Sequence, residues 1–214
     1  MKIGIVIIGI CILFLSGCEK KQNVQQLSGQ DSLLVAQIIK FRQEKDAYFK
    51  NEQASPIPAE KKKSFKGLNY YPPAPQYAFK LPLHIYPDAK PDTIYGTKGD
   101  ARPAQKYGYF EFKTDSGDFR LDVYKVFSGG KDTTSYLFLG FTDKTTGLET
   151  YGAGRYVEPE LTDSANFYLI DFNKAYNPYC AYNHRYSCAI PPPQNLIPFK
   201  LLAGEKNYDS TFHE

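Results

Sequence analysis

Three residues near the end of the chain, Cys180, His184 and Cys188, stand with three positions between each and the next. Two thiolates and an imidazole are ligands that suit zinc. The same two cysteines enclose seven residues, and outside the cytoplasm a bridge between them would close a loop holding Tyr182, Asn183 and His184. Such a ring contributes on the order of 2 to 3 kcal/mol in a loop-entropy account. The bridge is the stronger expectation, because no second cysteine pair or clear fourth ligand follows and no metal site is assigned. Just before them lie Asp171, Asn173 and Asn177, at the expected end of a strand. A rigid sheet can present such polar groups to a ligand, although Asx side chains also hold turns by bonding nearby amides. Arg155 is the natural partner for Asp171, since its planar fork holds a carboxylate in two bonds. That pair would be either a buried clasp or the floor of a pocket, with Asn195 nearby and Glu205 and Lys206 completing a charged rim.

Other chemistry is thinly signalled. His84 falls in an apolar strand beside Pro82, and His213 is at the tail, so neither is placed to be a general base. Pro191-Pro192-Pro193 fixes an extended crossing segment. Tyr176, Tyr179, Tyr182 and Tyr186 could stack on sugars or peptides, or line the rim of a core. The chain has no phosphate-cradling glycine loop, nucleophile elbow or helical zinc-protease motif, and no cofactor is implied.

The elements that must position these residues follow from composition and pattern. Of 214 residues, 15% are aromatic, all Tyr or Phe, with 16 Gly and 15 Pro. That composition favours strands and turns, and one domain with an N-terminal appendage fits the length. The formal charge is +3, which falls to +2 if Lys2 is removed with a leader. Lys and Arg are scattered, which excludes a basic nucleic-acid groove.

The leader reads MKIGIVIIGICILFLSGC, with Lys2 before an apolar run from Ile3 to Leu15. The run is short for a mature transmembrane helix and is followed by small residues, so residues 1–17 read as a signal peptide. Leu15-Ser16-Gly17-Cys18 matches the bacterial lipobox, which predicts cleavage before Cys18 and acylation of its sulfur. Two or three acyl chains anchor stably where one does not. Residues 18–30 then form a polar tether. The expected product is a globular domain, residues 31–214, lipid-anchored in the cell envelope on the non-cytoplasmic side.

Within that domain a helix is predicted over 31–51, with Leu34, Ile38, Phe41, Lys45 and Tyr48 on one face and Ala36 and Ile39 beside it. Ser55-Pro56-Ile57-Pro58 stops it, and the basic run Lys61 to Lys63 reads as a solvated turn or a contact to anionic headgroups. From Phe65 to the end the chain is a β body. Strands are predicted at Tyr77–Tyr86, Tyr107–Lys113, Phe119–Phe127, Tyr136–Thr142, Glu149–Val157 and Phe167–Phe172, separated by Asp/Gly turns. The fold class is therefore mainly β, an antiparallel β-sandwich or partly open barrel with an N-terminal α-helix covering an edge or end.

A series of spaced motifs begins with Glu44-Lys45-Asp46, Phe49, Ser55-Pro56-Ile57 and the run Phe65 to Pro72. The back half carries Phe141-Thr142-Asp143, Thr150 to Tyr156, Asp171 to Pro178, Cys180-Ala181-Tyr182, Cys188, Pro191-Pro192, Asn195 and Ala203 to Lys206. In this order they resemble one bacterial family, the domain of unknown function 1684 (DUF1684). Ala189 and Gln194 stand where the family more often has Pro and Glu. The resemblance implies a shared fold and a shared site, and lends no activity.

Two function classes follow. One is a noncatalytic envelope lipoprotein binding an unknown protein or small molecule through Arg155, Asp171 and Asn177. The other is an envelope hydrolase using Asp171 or Glu205 as acid or base in a pocket with Arg155, which requires a carboxyl with shifted proton affinity in a concave site.

Overall fold

The computed structural model describes residues 29–128, 134–162 and 166–208. The expected signal peptide, Cys18 and nearly all of the tether lie outside the described residues, as does His213. The first element, α1 (Gly29–Asn51), begins two residues before the predicted helix start at residue 31. Its inward face runs through Ile38, Lys45 and Phe49, with Ile38 and Phe49 fully buried. Phe49 rather than Tyr48 closes that face, and Ala36 and Ile39 point outward. The last carbonyls of a helix need outside donors; here the buried Ser55 hydroxyl donates to the Phe49 carbonyl at 2.7 Å, so the stop is built from the Ser-Pro-Ile-Pro segment itself. The basic run lies in and just after a single helical turn, α2 (Ala59–Lys62), rather than in a plain turn.

The rest is mainly antiparallel strand: β1 (Ala78–Pro82), β2 (His84–Ile85), β3 (Pro91–Tyr95), β4 (Ala101–Phe112), β5 (Phe119–Ser128), β6 (Thr134–Phe138), β7 (Gly140–Phe141), β8 (Arg155–Tyr156), β9 (Glu160–Leu161) and β10 (Phe167–Asp171). The large sheet has the order β2-β4-β5-β6, with β3 also on β4; β1-β10-β9 and β7-β8 form two smaller sheets. Together they make a curled, partly open antiparallel body with the helix laid against it. Pro82 sits in β1, an edge strand, where its missing amide costs no ladder bond.

Two expectations are corrected. The strand predicted at Glu149–Val157 is strand only at Arg155–Tyr156, because Asp143, Thr145 and Thr150 wind the chain through side-chain and backbone turn bonds first. Conversely β4 starts six residues before the predicted Tyr107 and pairs with β3, which was not foreseen. An extra residue at Tyr107 shifts the β4–β5 register between Lys106 and Gly108. That bulge breaks the alternation from which a strand start is read.

The core gathers on Phe172, just past β10. Its ring meets Phe112 at 5.4 Å and Phe141 at 5.3 Å between centroids, with Leu121, Val123, Ile170, Ile197 and Leu201 around it. Each such side chain contributes roughly 1.5 to 3 kcal/mol on burial. A second cluster, Tyr124, Val126 and Phe138, packs on the opposite face of β5. β5 is thus covered on both sides, which makes it the fixed reference for everything that crosses it.

Candidate functional site

The C-terminal crossing from Asp171 to Tyr208 has little regular structure, so its backbone groups must find other partners. The residues singled out in the sequence provide them. Arg155 is 1% exposed and donates to Asp143 Oδ2 at 2.6 Å, to the carbonyls of Leu201 and Glu205 at 3.1 Å each, and to that of Ala203 at 2.5 Å. The partner expected for it was Asp171. The structure corrects this: Asp171 instead caps the short 3-10 turn Phe172–Lys174, its Oδ1 accepting from the Asn173 backbone and side-chain amides, both at 2.9 Å. The Asn173 side chain in turn clamps Ala74, accepting from its amide at 2.7 Å and donating to its carbonyl at 2.9 Å.

Asn195 does the same for the sheet. Its carboxamide accepts from the Asp122 amide and donates to the carbonyls of Asp122 and Gly140, all at 2.8 Å. It stands in for a ladder where β5 and β7 splay apart. Glu205, also buried, accepts at Oε2 from the Asn177 amide at 2.9 Å and from the Tyr182 hydroxyl, and its Oε1 meets Lys45 Nζ at 2.6 Å. The Asn177 side chain donates to the Lys206 carbonyl at 2.8 Å. Gly204 has φ +76°, and a Cβ there would lie 2.6 Å from the Ala175 carbonyl oxygen, so this approach requires glycine. Arg155, Asp171, Asn173, Asn177, Asn195 and Glu205 are therefore all buried and hydrogen-bonded to the framework.

Cys180 and Cys188 are buried and stand side by side as free thiols. The Cys180 amide donates to Cys188 Sγ at 3.1 Å, and the Tyr151 hydroxyl lies 3.5 Å from Cys180 Sγ. A hydrogen bond from Cys188 pulls the Cys180 thiol down to about 6. His184 is exposed, and among the described residues no three His, Cys, Asp or Glu side chains gather as metal ligands, so the zinc arrangement of Cys180, His184 and Cys188 is not formed.

Where the molecule is concave, different residues line it. A cleft of about 650 Å³ opens between α1, β6, the segment after β8 and the crossing. Its walls include Phe41 and Tyr48 from the helix, Tyr136 and Leu137 from β6, and Tyr176 and Tyr179 from the crossing. None of the six buried polar residues lines it. The volume lies within the range of ligand pockets, which are mostly apolar with a few placed polar groups. Lys45 is the link between the two regions: it lines the cleft, holds Glu205 behind the wall, and places its ammonium 4.6 Å from the Tyr176 ring centroid. Its charge is thereby balanced before any ligand arrives. Glu158 accepts from the Tyr176 hydroxyl at the rim, and Arg102 is held by Asp100 at 3.0 Å and the Ser187 carbonyl at 2.7 Å. Burial pushes the phenols of Tyr156 and Tyr176 well above their ordinary value, and that of Tyr179 up to about 12. These three phenols are therefore uncharged at neutral pH.

The tyrosines of the crossing were noted in the sequence, but not that they share a cavity with α1. The available signal was Lys45, a cation within an otherwise apolar helical face.

Comparison with known proteins agrees with this architecture. The chain is similar to the solution NMR structure of an uncharacterized protein from gene locus rrnAC0354 of Haloarcula marismortui, at 30% identity. The match covers 84% of this chain and 97% of that one, with a TM-score of 0.59. None of the curated proteins matches the chain. The family profile described as "Protein of unknown function (DUF1684)" matches residues 63–206, the stretch that carries every strand described above, and the chain belongs to that family.

Proposed function

We propose that the protein is a membrane-anchored envelope lipoprotein whose β domain is a noncatalytic binding module, with the tyrosine-lined cleft as its binding site. The anchor reading rests on the leader and the lipobox ending at Cys18. The binding reading rests on one observation: the roomy, aromatic cleft is separate from the buried polar residues, none of which lines it. This moves the site away from the Arg155, Asp171 and Asn177 surface first expected.

The hydrolase reading has less support. It needs Asp171 or Glu205 placed where a substrate can exchange a proton with it, yet neither lines the cleft. Both Glu205 oxygens are engaged, and Asp171, with Oδ1 serving two donors and Oδ2 unpartnered, is buried away from the cleft.

The test is a ligand screen on the full-length protein in detergent, alongside Tyr48→Ala and Tyr179→Ala. Loss of an aromatic anchor weakens binding by on the order of tenfold or more. Ligands bound equally well by both variants and by wild type would remove the cleft from consideration.

A further inference from the structure

We propose that the occupant of the cleft is an extended polypeptide segment that adds to the free edge of β6 as a new strand. The inference rests on the cleft being the binding site and goes on to name what binds there.

β6 is the last strand of the large sheet and is paired on one side only, by β5. The strand that continues from it, β7, has its other side covered: Phe141 faces Arg155, Gly140 faces Tyr156, and the Val157 amide donates to the Leu139 carbonyl at 3.1 Å. Two residues further along this antiparallel register, Pro159 falls opposite Leu137. Proline has no amide to give. There the covering chain leaves, and Glu160 pairs with Leu169 of β10 in another sheet. The cleft opens at the point of departure, with Leu137 and Glu158 on its two sides.

Alternation shows which backbone groups are left over. Leu139 bonds towards β8, whereas Gly140 bonds towards β5 through Asn195. With a period of two, Ser135 and Leu137 direct their amides and carbonyls to the uncovered side. Neither has a backbone partner on that side among the described residues.

Exposed strand edges invite pairing, and proteins usually blunt them with charge, proline or a covering segment. Two other edges among the described residues are treated in that way. β1 carries Lys80 and Pro82, and the end of β3 is covered where the Ile190 amide donates to the Tyr95 carbonyl and the Thr97 amide to the Cys188 carbonyl. β6 reads Thr134-Ser135-Tyr136-Leu137-Phe138, uncharged throughout, and Tyr136 is 45% exposed. Strand addition draws affinity from main-chain bonds and specificity from pockets that take alternate side chains. The cleft provides such a pocket along this edge. Three of its four charged lining groups already have a partner of opposite sign, Lys45 in Glu205, Arg102 in Asp100 and Glu44 in Lys40. The segment it fits carries Tyr, Phe or Leu at every second position and little net charge.

The experiment selects binders to the full-length protein from a displayed library of short peptides with Tyr, Phe or Leu at alternate positions, then measures affinity by fluorescence polarisation. Ser135→Pro removes one outward amide and leaves the β5 side of the ladder intact; binding should fall at least tenfold with little change in melting temperature. Independently of how that variant folds, N-methylation of the peptide backbone at one set of alternate positions should abolish binding, and at the other set should not. If Tyr179→Ala abolishes binding while Ser135→Pro and both N-methylated sets bind normally, the cleft reading stands and strand addition falls. Binding insensitive to all of these changes would remove both. A library that yields no binder, or a wild-type dimer that Ser135→Pro dissociates, overturns the inference, the second by showing that the edge is taken by another copy of this chain.

Discussion

Arg155 and Asp143, twelve residues apart in the chain, meet at 2.6 Å with both side chains almost wholly excluded from solvent. The same guanidinium carries the carbonyls of Leu201, Ala203 and Glu205, so one side chain ties the start of β8 to residues 201–205 of the crossing. Removing one member of a buried ion pair costs about 3 to 5 kcal/mol, because the other is left charged and unpaired. Arg155→Ala should therefore lose that much by urea unfolding. In a double-mutant cycle Arg155 should couple strongly to Asp143. With Asp171 it should be close to additive, as expected for residues without a shared partner.

Asn195→Ala strips partners from the Asp122 amide, the Asp122 carbonyl and the Gly140 carbonyl in one step. Each buried group left bare costs roughly 1 to 3 kcal/mol. Asn195→Asp keeps the acceptor but cannot donate to the two carbonyls, so it should destabilise as well at neutral pH. Amide hydrogen exchange at Asp122 should rise in the alanine variant and much less in the aspartate variant.

These two residues also show how much could be read in advance. Asn195 and Arg155 stood out by type and by motif, and the crossing they hold was placed correctly within the chain. Their partners were not legible, because Asp143 and Asp122 lie in turns and strands whose approach depends on how three small sheets curl together. The helix was readable from its period, yet the cleft was not. It exists only because β8 departs from the β7 ladder at Pro159, where a long-range register meets a proline. The β3–β4 pair escaped notice because its alternation is interrupted by the Tyr107 bulge and by Pro103.

Alkaline pH should unfold the protein through its tyrosines. Burial is the first cause that raises Tyr71 and Tyr86 to about 12, and it lifts Tyr70, Tyr156, Tyr176 and Tyr182 as well. In the unfolded chain these phenols ionise near about 10. A folded value above the unfolded one gives stability that is complete below pH about 10 and is lost as pH rises through the folded value. The tyrosinate absorbance that these buried phenols contribute should therefore appear together with loss of near-ultraviolet circular dichroism, in one cooperative step above pH about 10. A smooth titration near pH 10 with the fold intact would contradict it.

Cys18→Ala should abolish acylation and leave the leader uncleaved. In the lipoprotein reading proposed above, the acylated sulfur would be that of the first residue of the mature chain, and a retained leader without acyl chains, short for a bilayer span, would anchor weakly. Metabolic labelling with a palmitate analogue, followed by fractionation, reads both effects. Equal labelling of wild type and variant would sink the lipoprotein assignment.

The cysteine pair should oxidise readily to a bridge in the envelope. Cys188 holds its hydrogen towards Cys180, whose thiol is pulled down to about 6, and the thiolate is the form that attacks a disulfide. An ordinary thiol ionises near about 8.5, so its exchange rate climbs until that pH. For Cys180 the rate of forming the mixed disulfide with oxidised glutathione, which releases one reduced glutathione, should instead level off just above pH 6, limited by access to a buried site. Cys188 then loses its proton, attacks that disulfide and expels the second reduced glutathione to close the bridge. Mass mapping without reductant should then find Cys180 joined to Cys188, with melting raised in line with the roughly 2 to 3 kcal/mol that a loop of this size contributes. Two freely alkylated thiols in protein taken from the native envelope would reject the bridge, and a rate still rising at pH 8 would reject the hydrogen bond between the sulfurs as the source of the acidity.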